Sequence, residues 1–269
     1  MDIEERTIQA GGVKVHARVA GEGEQMLVLL HGAEADGEMW EPYMKGLAKG
    51  RQVLAIDLPG HGGSHVTADM DCSPLGLADW FFEILDAEGQ ESAAVLGHSF
   101  GGVVAFNLAL EVPELVSHLI GVNVANLSLS TSEFRKGAEE LMKALAKGDL
   151  DEESTRPILA RIYDKDPDHE DIVAGAAFWA DPGVRTFFAN GGHEFSSSLP
   201  IWKLREVETP TLLVWGDRDR FFPVEDARTA SLYLPHSRLI VIEGGSHSPF
   251  SDAPDLFYMA VDSFLAKDD

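Results

Sequence analysis

The sequence predicts an α/β fold: a mostly parallel, doubly wound sheet interrupted by one helical insertion. Three observations point there. Short apolar runs of strand length alternate with stretches of helical period along most of the 269 residues, as strands joined by crossover helices do. One long segment, residues 126–205, breaks that rhythm. A Gly-x-Ser-x-Gly pattern sits where one apolar run meets the next helix.

Taken in order, Val13–Val19 alternates apolar and polar residues, as a half-exposed strand does. Met26–Leu30 is a continuous apolar run, the mark of a strand covered on both faces. Val53–Ile56, Ala93–Leu96, Leu119–Val124, Thr211–Trp215 and Leu239–Ile242 repeat that style. Helices are expected at Met39–Leu47, Pro74–Ala87, Gly101–Leu110, Val224–Tyr233 and Pro254–Leu265, each with apolar residues three and four apart. Residues 126–205 hold no convincing buried strand. They are rich in charge and helix formers, punctuated by Pro157, Pro167, Pro182 and Pro200. The expected division is therefore a core of residues 1–125 and 206–269, with residues 126–205 inserted as helices.

Composition narrows the partners. The chain has 45 acidic and 21 basic side chains, a formal charge of −24. Nucleic acid and anionic membrane surfaces need a basic footprint, and no basic run exists. Residues 126–205 hold 14 of the acidic and 10 of the basic side chains, a charge of −4, so −20 lies on the rest. Such an acidic surface serves solubility and suits high salt. Cys72 is the single cysteine, so no internal disulfide forms. That fits a reducing cytoplasm, the expected location. The acidic N-terminus lacks the pattern of a secretory signal. The most apolar window, Ala93–Leu110, is broken by His98, Ser99 and Asn107, a poor membrane span. The expected partner is a small molecule, and the expected assembly a monomer or homodimer.

The chemistry centres on Gly97-His98-Ser99-Phe100-Gly101. Between a buried strand and a helix, this pattern puts the serine on a tight, strained turn. Its oxygen is then exposed above the sheet, at a helix N-terminus. A serine hydroxyl needs a base to take its proton. His247 follows the last expected strand and suits that role. A carboxylate should hold the other ring nitrogen. The loop after Thr211–Trp215 offers two, Asp217 and Asp219. The order Ser, Asp, His is that of the α/β-hydrolases.

Four segments carry the resemblance: His31-Gly32 after a buried strand, Asp57-Leu58-Pro59-Gly60-His61-Gly62-Gly63-Ser64, the Ser99 turn, and Gly216-x-x-Asp219-x-x-x-Pro223. Together they resemble the α/β-hydrolase fold family over nearly the whole chain, especially carboxylesterases and the C–C hydrolases of meta-cleavage products. The resemblance implies a mostly parallel sheet with residues 126–205 as a helical cap. It implies a triad of Ser99, Asp219 and His247, Asp217 remaining the alternative acid. The backbone N–H groups of Ala33 and Phe100 would form the oxyanion hole. Glu34 departs from a loop that is often small and glycine-rich in relatives, and is expected to point to solvent. Trp179 and Trp202 of the cap, with Phe221, Phe222 and Phe250 of the catalytic loops, are expected to face substrate.

No cofactor or metal is expected. His61 and His65 are four apart, which suits a metal on a helix, but Gly60, Gly62 and Gly63 argue against a helix there. His98 is expected to pack under the turn, and His31 to fix its loop through a ring hydrogen bond. The function expected is hydrolysis of a carboxylic ester or lactone of a small to medium, neutral substrate. Two readings stay open beside it. One is a C–C hydrolase of aromatic ring-cleavage products, with Arg185 to hold the substrate carboxylate. The other is a ligand receptor that keeps the triad. Epoxide and haloalkane hydrolysis are disfavoured, because the related enzymes use an aspartate where this chain has Ser99.

Overall fold

The computed structural model describes residues 2–127, 137, 140–144, 147, 151–163 and 165–266. Among them, eight strands build one sheet: β1 (Glu4–Ala10), β2 (Val13–Ala20), β3 (Met26–Leu30), β4 (Gln52–Ile56), β5 (Ala93–His98), β6 (Val116–Val122), β7 (Thr211–Gly216) and β8 (Ser237–Ile242). Their order across the sheet is β1-β2-β4-β3-β5-β6-β7-β8. β2 pairs antiparallel with β1 and β4, and every pairing from β4 to β8 is parallel. The mostly parallel, doubly wound sheet expected from the sequence is the sheet observed.

Burial explains why the apolar runs are continuous. Val28 and Leu30 face one core with Leu54 and Ile56, while Leu27 and Leu29 face the other with Val53 and Ala55. Successive side chains of a strand point to opposite faces, so a strand covered on both must be apolar throughout. The covering helices are α1 (Glu41–Leu47), α2 (Pro74–Ala87) and α3 (Phe100–Glu111), with α4 (Glu152–Tyr163), α5 (Glu170–Ala180) and α6 (Pro182–Ala189) in the inserted segment. α7 (Val224–Tyr233), α8 (Pro249–Asp252) and α9 (Pro254–Leu265) complete the set. α2, α3 and α7 bury residues in the first core, α1 and α9 in the second.

Two strands differ from expectation. β1 was not expected at all: its first residues are exposed and polar, and within it only Ile8 and Ala10 are buried. It is an edge strand, closed onto β2 by the Gly11-Gly12 turn, where both glycines take positive φ. β6 ends at Val122 rather than running to Val124, because Asn123 turns the chain with a φ of 42°.

Between β6 and β7 the described residues form α4, α5, α6 and 3-10 turns at Gly192–Ser196 and Ile201–Glu206, with no strand among them. Residues 128–136, 138–139, 145–146, 148–150 and 164, all within the expected insertion, lie outside the described residues. The segment meets the core at the C-terminal ends of the parallel strands. There the backbones of Gly60 and Gly183 touch: a Cβ on Gly60 would lie 2.4 Å from the Gly183 carbonyl oxygen. No helix among the described residues is long and apolar enough to cross a membrane.

Candidate active site

Ser99 is the single residue between β5 and α3. Its φ of 52° and ψ of −114° lie outside the ordinary regions for an L residue, a strain of about 1–3 kcal/mol. The surroundings impose it. The Ser99 N–H donates to the Val122 carbonyl, while the Ser99 carbonyl accepts from the N–H groups of Gly102, Val103 and Ala125. The neighbours must be small. A Cβ on Gly97 would lie 2.2 Å from the Gly101 carbonyl oxygen, and one on Gly101 would lie 2.4 Å from that of His31.

The loops after β7 and β8 bring the other two groups together. These strands pair with Gly216 opposite Ile242, so the segments that leave them run side by side. His247 Nδ1 and Asp219 Oδ2 are 2.8 Å apart. Since the carboxylate can only accept, Nδ1 carries a proton, and in the neutral ring the lone pair then falls on Nε2. Asp217 is used elsewhere: its Oδ1 accepts the Gly244 N–H at 2.7 Å, tying the two loops. Asp219 is thus the partner of His247.

Burial of the Asp219 side chain works against its charge. The hydrogen bond and charge of His247, with bonds from Asn123 and the Phe221 N–H, outweigh it and hold the carboxyl below its usual range. Sequence reasoning missed Asn123. Its Nδ2 donates to Asp219 Oδ2 at 2.5 Å, and its Oδ1 accepts the Gly216 N–H at 3.2 Å. It is fully buried and takes positive φ. It directly follows β6, while Asp219 lies in the loop after the neighbouring β7, and no motif in the sequence joins the two.

His98 packs under the turn, as expected. Its Nε2 donates to the His247 carbonyl at 2.8 Å, and its ring lies 4.7 Å from that of His247. Burial pushes it down to about 3, so it is neutral. His31 fixes its loop from both nitrogens: Nδ1 donates to the Gly32 carbonyl, and Nε2 accepts the Leu58 N–H. Asp57 anchors the neighbouring segments, accepting from Arg18, His16 and the N–H groups of Gly37 and Gly63. Gly32 passes against the serine turn; a Cβ there would lie 3.3 Å from Ser99 Cβ. Ala33 follows it. Phe100 opens α3, where first-turn N–H groups lack helical acceptors.

Glu34 does not point to solvent. It is half-buried, and its Oε1 accepts the indole N–H of Trp179 at 2.6 Å. Glu34 takes a φ of 60°, which turns its side chain toward α5.

The five aromatics expected to face substrate take different places. Phe221 and Phe222 flank the His247 ring, at 5.1 and 5.6 Å between centroids. Phe100 meets Phe187, Phe188 and Phe195 of the inserted segment, so the serine turn abuts an aromatic wall. Trp179 is buried in that wall, its N–H committed to Glu34. Phe250 belongs to the core beneath the site: it packs on Trp40, Tyr43, His98 and Phe257, because α8 directs it under the sheet edge. Trp202 is 61% exposed. Its neighbour Lys203 pairs with Glu111, at the end of α3 remote from Ser99, about 17 Å along a twelve-residue helix. A cavity of about 270 Å³ lies beside the loop, lined by Glu34, Asp36, Gly62, Ala177, Phe178 and Val184 among others. Among the described residues no three His, Cys, Asp or Glu side chains cluster to hold a metal.

Known proteins resemble the chain over nearly its whole length. A model of the alpha/beta hydrolase fold matches residues 25–254. Epoxide hydrolase 4 of Mus musculus is 28% identical over 284 residues, covering 97% of this chain and 79% of that protein. The pimeloyl-acyl-carrier-protein methyl ester esterase of Aliivibrio salmonicida is 27% identical over 275 residues, covering 93% and 95%. Among solved structures, a meta-cleavage product hydrolase from Pseudomonas fluorescens IP01 superposes with a TM-score of 0.75 at 21% identity over 98% of each chain. A carboxylesterase from Bacillus subtilis gives 0.74 at 23% identity, over 98% of this chain and 92% of that one. These two likenesses are of fold. With the family model spanning most of the sequence, the chain belongs to the alpha/beta hydrolase fold family.

Proposed function

We propose that this hydrolase cleaves a carboxylic ester or lactone of a small to medium, neutral substrate through an acyl-enzyme on Ser99. The observation that carries the reading is the strained Ser99 turn, joined through His98 to an Asp219–His247 pair that commits Nδ1 and leaves Nε2 as the ring's other nitrogen for the serine proton. Ser99 Oγ attacks the carbonyl carbon and its proton passes to His247 Nε2. Asp219 stays ionised and stabilises the imidazolium. The N–H groups of Ala33 and Phe100 receive the oxyanion, a contribution of about 3–4 kcal/mol per donor in comparable enzymes. The C–O bond to the leaving group breaks, and the alkoxide takes the proton from His247. Water, deprotonated by His247, then cleaves the acyl-enzyme and returns Ser99. In the free protein His247 is held by its Nδ1 and its carbonyl; the Nε2–Ser99 bond is expected to close with substrate bound.

One relative is named as a methyl ester esterase, which supports an ester. Another is named as an epoxide hydrolase, a reaction the resemblance assigns to an aspartate nucleophile, and Ser99 supplies a hydroxyl. The C–C reading needs a cation for the substrate carboxylate. Arg185, its candidate, lies within electrostatic reach of the fully exposed Asp151, which lends that reading no support.

A serine-reactive fluorophosphonate should label Ser99, and Ser99→Ala should stay folded while losing p-nitrophenyl ester turnover by at least about a thousandfold. Esters of rising acyl length, lactones and a yellow ring-fission dienol, tested in parallel, separate the substrate classes. Wild-type turnover in Ser99→Ala would sink the mechanism.

A further inference from the structure

Glu34 directly follows Ala33 and takes a φ of 60°, a conformation costing about 1–2 kcal/mol for a residue with a Cβ. A notch on α5 receives its side chain. Gly175 and Trp179 are four apart, so they share one face of that helix. A Cβ on Gly175 would lie 2.9 Å from Glu34 Oε2; the missing side chain is the room the carboxylate uses. Trp179 closes the notch with its indole N–H, 2.6 Å from Glu34 Oε1, a charge-assisted bond stronger than a neutral one. The donor is itself fixed. Trp179 is 3% exposed, and its ring packs at 5.3 Å against both Phe178 and Phe188.

The core holds the loop on either side of this contact. His31 Nδ1 donates to the Gly32 carbonyl, and the Gly37 N–H donates to Asp57 Oδ1. Ala33 lies between the His31 anchor and the Glu34 contact: its N–H shares a peptide plane with the Gly32 carbonyl that His31 holds, and its carbonyl leads into Glu34. Its N–H is held on one side by His31, through the shared peptide plane, and on the other through the Ala33 backbone by the docked Glu34.

We propose that Glu34 is a positioning residue: docked between Gly175 and Trp179, it aims the Ala33 N–H at the oxyanion and couples that donor to the seating of the inserted helices. The indole N–H also offsets part of a carboxylate charge that would otherwise oppose an oxyanion nearby. The inference rests on the ester chemistry proposed at Ser99.

The test uses Glu34→Ala, Glu34→Gln, Trp179→Phe and the Glu34→Ala/Trp179→Phe double variant in the full chain. With p-nitrophenyl butyrate, Glu34→Ala and Trp179→Phe should each lose about tenfold in kcat with KM changed less than about twofold. The double variant should be no worse than Glu34→Ala, since one contact is removed twice. Glu34→Gln keeps an acceptor for the indole and should stay within about threefold of the parent. The Ki of an alkyl trifluoromethyl ketone, whose serine adduct carries an oxyanion, should rise in step with the loss of kcat. The Ki of the matching carbinol should not move. Mass-spectrometric amide exchange of residues 32–36 should quicken in Glu34→Ala and Trp179→Phe, a readout independent of turnover. Unchanged exchange, or additive losses falling on KM, would overturn the proposal. Quickened exchange in a protein without ester turnover would leave the tie standing and remove the ester reading.

Discussion

Asp219 accepts four hydrogen bonds: His247 Nδ1 and Asn123 Nδ2 on Oδ2, and the N–H groups of Phe221 and Phe222 on Oδ1. Only the Asn123 bond can be removed without touching the triad or the backbone. Asn123→Ala leaves the buried Gly216 N–H without its side-chain acceptor, at about 1–3 kcal/mol. It also puts a residue less tolerant of positive φ at 42°. We expect a lower urea midpoint and a kcat reduced by about tenfold, with KM little changed, because Asp219 then has freedom to rotate away from His247. A variant that loses stability but keeps kcat would show that the acid needs no such support. At this scale the sequence was informative where chemistry dictates spacing. Ser99 and His247 are legible from what precedes and follows them. Asp219 and Asp217 are not separable by residue type, because both sit in one loop; what separates them is that the Gly244 N–H claims Asp217. Asn123 and Glu34 were illegible for a different reason: each acts on a partner nearly a hundred residues or more away, and neither belongs to a motif. Phe250 and Trp202 depart from expectation because an aromatic near a site in sequence can pack beneath it, or stand outside it, at no cost visible in composition.

Elements were easiest to read where an apolar pattern spans them whole, on both faces of a strand or along one face of a helix. β3, α2, α7 and α9 have the bounds that their apolar spacing sets, while β1, with a polar half-exposed pattern, carries no such signal. The junction of α3 with the sheet shows how tightly these elements are fitted. A Cβ on Gly101 would meet the carbonyl oxygens of His31 at 2.4 Å and Leu30 at 2.6 Å. Both are backbone atoms of β3 and its loop, and neither can step aside without moving the strand. Helix propensity alone favours Gly101→Ala by about 1 kcal/mol. We expect the reverse, a loss of about 3 kcal/mol or failure to fold, since overpacking against fixed backbone outweighs propensity. Thermal melting followed by circular dichroism checks it, and a raised Tm would refute this account of the close approach.

For the whole molecule, the largest pH response below neutrality should come from three histidines near the site. Burial is the first cause in each case, lowering His31 to about 4 and His61 and His98 to about 3. Burial keeps them neutral in the native state: His31 also accepts from the Leu58 N–H, which needs the neutral ring, while His61 donates to the Pro59 carbonyl from among Phe178, Phe187 and Phe188, and His98 donates to the His247 carbonyl. In the unfolded chain each titrates near 6.5. Above that value neither state binds the proton, and stability is at its full level. As pH falls below it, the unfolded chain takes up protons that the folded chain refuses until about pH 3–4, so stability is lost across that interval. Three rings sum to about 4 kcal/mol between pH 7 and 5.5. The 45 acidic side chains act in the opposite sense, since neutralising them relieves a charge of −24, but exposed carboxylates titrate nearer pH 4. Urea unfolding from pH 7.5 to 5.5 in 0.5 M NaCl, where a Debye length of about 4 Å mutes surface repulsion, isolates the histidines. The midpoint should fall steadily below pH 6.5, and His31→Gln should remove about a third of the slope. A midpoint that stays level to pH 5.5 would mean that the three rings gain protons in the folded protein, and that the hydrogen bonds assigned to their neutral forms under the Ser99 turn are not what holds it.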